Sequence, residues 1–379
     1  MLCAYYDKSC DSSALFDGLE ISRKKSFHEY LNKYDVLYLD ITWFISRSGT
    51  KGGNVVLDLQ AAVIDELRKT FRDCVSGKET YLPDALLAIS QETGRQFIII
   101  IDEWDALFRE AKNDKSLQKE YVQLLRGLFK GGTTTDETIA AAYMTGILPI
   151  KKYGTESALT DFREFTMTNP GQLTEYVGFT EKEVKRLCDQ YQMDFEELHI
   201  WYDGYSFHRL QHVYSPNSVM HALQNGEIQN YWTQTETFES LRSYISMDFD
   251  GLKAAITEML GGGHIGVRIS TFQNDLTSFE SRNDVLTLLI HLCYLAYDSQ
   301  NLETYIPNLE ISEAFEAAVS GEKWETIGEA FSDSEKLLRT TLNEDADAVA
   351  ESLELVHESV SSILQYHNEA SLSCAVEHI

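Results

Sequence analysis

Phe97-Ile98-Ile99-Ile100-Ile101-Asp102-Glu103 sets two adjacent carboxylates at the end of five apolar residues. A hard cation such as Mg²⁺ takes oxygen ligands, and a water that attacks a phosphate needs a base beside the cation. Two neighbouring acids on a rigid support supply both groups. The apolar run is short and β-branched, so it reads as a strand buried on both faces, as in a parallel sheet. In open α/β sheets ligands lie beyond the carboxyl ends of the strands, which is where Asp102 and Glu103 would emerge. A plainer reading stays open: the two acids simply start the next helix, since acids favour a helix N-terminus.

The surrounding elements alternate as a parallel sheet requires. Residues 36–44 are β-branched and aromatic and read as a strand, followed by a loop rich in glycine at 48–54. Residues 55–74 show helical spacing through Val56, Leu59, Val63, Leu67 and Phe71, and 82–91 read as a second helix with Pro83 in its first turn. After the isoleucine strand comes a helix at about 117–129, closed by Gly131-Gly132, and then a strand over 139–146. Strand, helices, strand, helix, strand is a βαβ series. It brings Thr145 to a strand end near Asp102, either as a polar group facing a phosphate or as an ordinary turn residue before Gly146.

The opening residues 2–6 read as a helix without a start signal. From Asn169-Pro170-Gly171 onward the texture changes to short helices and aromatic loops, with a capping box at Thr180-Glu181-Lys182-Glu183. The chain reads as mostly helical from Phe238. Residues 285–292 form an apolar, buried helix that carries His291 as a core histidine, and 311–366 are helical and acidic. The expected division is an α/β domain over 1–170, a small helical, winged-helix-like lid over 171–235, and a helical region over 236–379.

Composition sets further bounds. The 379 residues hold 60 acids against 32 Lys plus Arg, a formal charge of −28, so direct nucleic-acid binding is not supported and Arg23-Lys24-Lys25 reads as a solvated cluster. No run of 18 apolar residues and no basic leader stands in the sequence, so no membrane partner and a cytoplasmic location are expected. The six cysteines are scattered, with no C-x-x-C and no nearby His pair, which argues against a zinc site and against a disulfide framework.

Four aliphatics followed by Asp-Glu is the Walker B pattern. Its partner, G-x-x-x-x-G-K-[ST], wraps phosphates with backbone N–H groups and a lysine, and it does not occur in this chain. Ser76-Gly77-Lys78-Glu79 has Arg72 in place of the first glycine and Glu79 in place of Ser or Thr. Gly261-Gly262-Gly263-His264-Ile265-Gly266 matches G-x-G-x-x-G, but it follows a helix and leads into a strand, the reverse of the dinucleotide-binding context.

Taken together, several segments resemble a bacterial AAA-ATPase-like family in which a P-loop ATPase domain precedes a PD-(D/E)XK nuclease-like domain. The segments are 97–107, Tyr143-Met144-Thr145-Gly146-Ile147-Leu148-Pro149-Ile150, Trp201-Tyr202-Asp203-Gly204-Tyr205, Tyr214-Ser215-Pro216-Asn217-Ser218-Val219, Tyr231-Trp232-Thr233-Gln234-Thr235, Phe272-Gln273-Asn274-Asp275, 284–291 and 366–372. The resemblance implies a P-loop NTPase-like parallel sheet with helices on both faces and a mostly helical C-terminal region. It implies ATP and Mg²⁺ as cofactors, with Asp102 on the metal, Glu103 as catalytic base and Thr145 as a sensor-like cofactor-binding residue. It also implies truncation at both ends, with the Walker A loop upstream of Met1 and only Glu369 left of the nuclease acids.

The expected function is therefore an ATP-binding regulatory module that does not hydrolyse ATP as written and takes nucleotide once a phosphate loop is supplied. The alternatives are a non-catalytic module whose helical half binds a protein partner, or a gene remnant.

Overall fold

The structure, a computed structural model, describes all residues except 50–52, 76, 112, 148–161, 208–209, 235–236, 248, 250, 273–278, 320–333, 335, 344 and 361–379. Glu369 and the resembling residues at 148–150, 235, 273–275 and 366–372 lie outside the described residues. The chain divides into two compact units, Met1–Asn169 with Ile269–Glu280, and Pro170–Arg268 with Ser281–Ile379.

The first unit is built on β1 (Asp35–Asp40), β2 (Phe97–Asp102) and β3 (Ile139–Met144), parallel and in the order β1-β2-β3. The register runs from Asp35 opposite Phe97 to Asp40 opposite Asp102, and Ile101 stands opposite Met144. Helices α4 (Val55–Thr70), α5 (Leu82–Thr93) and α7 (Lys115–Phe129) supply the crossovers. The isoleucine run is buried on both faces as its composition requires. Phe97, Ile99 and Ile101 share one core with Leu59, Val63, Leu86, Ile89, Leu124 and Leu128, while Ile98 and Ile100 are buried on the opposite side. Each such side chain contributes about 2 kcal/mol of gross burial energy, far more than any preference of the two terminal acids.

One boundary differs from the sequence reading. The strand over 36–44 stops at Asp40, and Ile41–Gly49 is a helix, α3. The Asp40 carboxylate accepts from the Trp43 N–H at 2.9 Å and so caps the first turn. Ile41, Phe44 and Ser48 are the buried positions, which is the period of a helix face. β-Branched and aromatic content masked that period. Asn54 then caps α4 by accepting from Val56 and Leu57, so the 48–54 segment is helix end and helix cap at its described positions.

The second unit has a hairpin sheet of β4 (Phe179–Thr180), β5 (Tyr205–Phe207) and β6 (Leu210–Tyr214) in the order β4-β6-β5. Between them run α9 (Glu181–Tyr191), opened by the Thr180–Glu183 capping box, and α10 (Phe195–Tyr202). Helix α11 (Pro216–Asn225) follows, and Val184, Leu198, Tyr202, Tyr214, Val219 and Leu223 close a core. The later region is helical as expected, with α13 (Leu252–Leu260), α14 (Arg282–His291) and α15 (Leu309–Val319). It also contains a second small sheet, of which the sequence marked only a strand near Gly266: β7 (Ile265–Gly266), β8 (Ala296–Asp298) and β9 (Glu303–Tyr305), in the order β7-β9-β8. Among the described residues no helix is long and apolar enough to cross a membrane.

His291 ends the buried helix α14, and burial holds its imidazole down to about 4. Its folded value lies below the unfolded value, so the unfolded chain binds the extra proton. Stability is complete above about pH 6.5 and is lost as pH falls toward 4. At pH 5 the loss is about 2 kcal/mol. Urea unfolding of the wild type and His291→Asn at pH 7 and pH 5 checks this: the variant loses less stability on acidification. Equal losses in both chains would remove His291 as the cause.

Candidate functional site

The carboxyl ends of β1, β2 and β3 carry Asp40, Asp102 and, just past β3, Thr145. Parallel pairing continues one step beyond the strands: Thr145 N–H donates to the Ile101 carbonyl at 2.9 Å, and Trp104 N–H donates to the Thr145 carbonyl at 2.9 Å. These two backbone bonds fix Thr145 beside Asp102, and the Thr145 hydroxyl donates to Asp102 Oδ1. The Tyr38 hydroxyl donates to the other oxygen, Oδ2, at 3.0 Å. That bond, followed by desolvation and the nearby acids, pushes the Tyr38 phenol up to about 12. Tyr38 is therefore a fixed donor at neutral pH, and Asp102 is held from both sides at the sheet edge.

Glu103 turns away from this line. Its φ of 51° is left-handed, a conformation that costs an ordinary residue about 1 kcal/mol. The turn aims its carboxylate at Arg109, whose guanidinium binds it and also reaches the buried Asp105 at 3.2 Å. Desolvation, with help from Asp105, Asp102 and Asp40, raises the Glu103 carboxyl above its ordinary value against the pull of Arg109. Asp105 Oδ1 in turn accepts from Ile147 N–H at 3.3 Å. Gly146 must be glycine for this packing, because a Cβ there would stand 2.5 Å from Asp105 Oδ1 and 2.6 Å from the Trp104 ring.

The three sequence-predicted residues thus lie at one edge, but in two arrangements. Asp102 and Thr145 touch each other. Glu103 belongs to a separate Glu103–Arg109–Asp105 group. Sequence reading missed Tyr38, Asp40, Asp105 and Arg109. The Asp105–Arg109 spacing of four on a short helix (α6, Ala106–Glu110) was the available signal for the last pair. Tyr38 and Asp40, two apart on a strand, share a face, which was the signal for Tyr38 beside Asp102.

The carboxylate and hydroxyl oxygens around Asp102 are the donors a hard cation takes. Asp102, with the Thr145 and Tyr38 hydroxyls on its two oxygens, is the group at this edge whose chemistry suits such a cation. A phosphate-wrapping loop is not encoded by any G-x-x-x-x-G-K-[ST] in the sequence.

Residues 1–155 match the family model of a predicted AAA-ATPase. The match spans β1 to β3, Asp102, Glu103 and Thr145, and it stops short of the second unit. The AAA-ATPase-like stretch agrees with the parallel sheet flanked by helices. A protein of Azotobacter chroococcum mcd 1, described as an uncharacterized protein in the vnfD 5' region, is 23% identical over 146 residues. That alignment takes in 38% of this chain, and the chain covers 28% of that relative's length.

Proposed function

We propose that residues 1–155 are the nucleotide-responsive half of an AAA-ATPase-like regulatory module, with Mg²⁺ and ATP bound at the carboxyl edge of β2 and β3. The observation that supports this reading best is the contact of Asp102 with Thr145 at the ends of adjacent parallel strands, within a stretch matched by a predicted-ATPase family model. In this reading Asp102 is the residue that would hold Mg²⁺, and Thr145 and Tyr38 orient its carboxylate. The bound metal nucleotide would supply the electrophilic phosphate. Glu103 would take the proton of the attacking water, but only after leaving Arg109, which occupies its carboxylate. Asp105 would keep the released guanidinium in place.

Two features support reading these 379 residues as a binder and not a hydrolase: no phosphate-loop motif stands among them, and Glu103 pairs with Arg109. The nuclease-like continuation implied by the resemblance belongs to the same proposal, as the part that would receive the nucleotide signal. The expected result for the purified chain is weak, Mg²⁺-dependent binding of a fluorescent ATP analogue, weakened at least 10-fold by Asp102→Ala, with no phosphate release. Binding that is indifferent to Mg²⁺ and to Asp102→Ala sinks the site assignment. Turnover that Glu103→Gln abolishes would instead show a complete ATPase and overturn the claim of inactivity. A stable complex with a protein partner, indifferent to nucleotide, would favour the alternative of a non-catalytic interaction module.

A further inference from the structure

A second cluster of chemistry-bearing side chains lies in the second unit. His199 stands in the last turn of α10, and Asp203, four residues on, caps that helix. His212 comes from β6, thirteen residues away in sequence from His199. The hairpin between β5 and β6 brings it back: Tyr205 pairs with Val213, yet Phe207 pairs with Leu210, so β6 carries one extra residue in that interval. His212 sits in this bulge with φ 60°, a left-handed conformation. Bulges re-aim side chains, and this one turns the imidazole toward the end of α10.

The three side chains converge on one carboxylate. Asp203 Oδ2 lies 2.6 Å from His212 Nδ1 and 3.4 Å from His199 Nδ1. One ligand atom from each of the three residues can be chosen so that all lie within 4.8 Å of one another. Asp203 is only 7% exposed, and its second oxygen, Oδ1, is buried without a hydrogen-bond partner. Both imidazoles are half exposed, so solvent reaches the cluster from one side. The Tyr214 hydroxyl stands 2.7 Å from the same His199 Nδ1, a contact that a metal on this nitrogen replaces. Glu181 and Lys185 of α9 pair with each other at 2.6 Å nearby, and the Phe195 ring packs on His199.

We propose that His199, Asp203 and His212 form a mononuclear site for a divalent transition metal of the zinc class, joining the end of α10 to β6. Two imidazoles and one carboxylate are a donor set suited to zinc, nickel or copper and not to the harder Mg²⁺. Ligand bonds of about 2.0–2.1 Å place neighbouring donors a little over 3 Å apart, the scale of the His199–Asp203 spacing. The closer His212–Asp203 contact opens slightly when a metal replaces the shared proton. Ordinary hydrogen bonding leaves Oδ1 orphaned and His212 in an unfavourable backbone conformation. A metal gives the buried carboxylate the charge partner that a half-satisfied pair lacks. Three protein ligands on an open face leave a position for water, as in exchangeable sites and unlike closed structural ones. The proposal is independent of the ATPase reading, whose residues lie in the other unit.

The test is Co²⁺ binding by the untagged, metal-stripped full chain, followed by visible absorption and then by Zn²⁺ displacement. One equivalent per chain, with d–d bands that vanish on adding Zn²⁺, is expected. His212→Asn is the informative variant. Asparagine tolerates a left-handed φ and can still donate to Asp203, so the fold is kept while a strong ligand is lost. It should weaken Zn²⁺ binding at least 10-fold, as should His199→Ala. His28→Ala, in the other unit and exposed, should leave binding unchanged. No stoichiometric binding, or binding equal in the wild type and His212→Asn with circular dichroism unchanged, overturns the proposal.

Discussion

Replacing Gly204 by alanine is expected to destabilise the second unit by about 4 kcal/mol. Two costs add. Gly204 has φ +116°, a region that side-chain-bearing residues rarely enter, and a Cβ there would stand 1.9 Å from the Pro307 carbonyl oxygen and 2.6 Å from its carbon. The obstacle is backbone, so no rotamer change relieves it. The surrounding bonds also forbid the two segments from sliding apart: Tyr305 Oη donates to the Gly204 carbonyl at 3.1 Å, and Asn308 Nδ2 donates to the Asp203 carbonyl at 2.8 Å. Strain of about 1–3 kcal/mol and overpacking of about 1–3 kcal/mol give the total. Thermal unfolding followed by circular dichroism should show the variant's midpoint lowered by on the order of 10 °C. A midpoint within about 2 °C of the wild type would mean that the 203–204 and 305–308 segments are not clamped as described.

The parts legible in the sequence share one property: a single periodicity decided them. Four isoleucines in a row have nowhere to go but a strand buried on both sides, and Thr180-x-x-Glu183 is its own helix start. The acids at 102–103 were legible as strand-end groups because the run before them was so clear. What stayed hidden depended on chain reversal. Arg109 could be read as a partner of Asp105, but nothing local says that Glu103 adopts a left-handed turn and joins them. His199 and His212 are separated by a short hairpin whose one-residue bulge decides which way His212 points, and bulges leave no mark in a hydrophobic pattern. The argument against a zinc site rests on cysteine pairs and on histidines close in sequence, and it does not reach His199 and His212, which meet only in three dimensions. β-Branched and aromatic residues over 41–44 hide the Ile41, Phe44, Ser48 spacing of the 41–49 helix. In unit 1 the parallel register sets Asp40 opposite Asp102, and the helix that starts at Ile41 leaves both at the carboxyl end of the sheet.

Glu310 offers a pair of variants with opposite consequences. It is 1% exposed in α15, and the hydrogen bonds of its carboxylate reach segments distant in sequence. Oε1 accepts from the backbone N–H of Tyr231 at 2.8 Å and of Trp232 at 3.1 Å, and Oε2 accepts from Ser218 Oγ at 2.7 Å. Glu310→Ala removes the carboxylate acceptor of the Tyr231 and Trp232 N–H groups, leaves the Ser218 hydroxyl with Ser215 Oγ at 3.2 Å as its acceptor, and opens a cavity, a loss of about 3 kcal/mol. Glu310→Gln keeps the carbonyl oxygen for both N–H groups and removes a buried charge, so its cost at neutral pH is below about 1 kcal/mol. Burial raises the Glu310 carboxyl above its ordinary value, the hydrogen bonds opposing it. The folded state therefore keeps the proton to a higher pH than the unfolded chain, and stability falls as pH rises from the unfolded value through the folded one. Glu310→Gln abolishes that slope, and the wild type gains on the variant as the solution is acidified through that window. Urea titrations of the three chains across pH 4 to 7 test both statements. If Glu310→Ala is as stable as Glu310→Gln, the carboxylate does not tie α15 to the 218 and 231–232 segments. If the wild type and Glu310→Gln run parallel in pH, the group is not held protonated by burial.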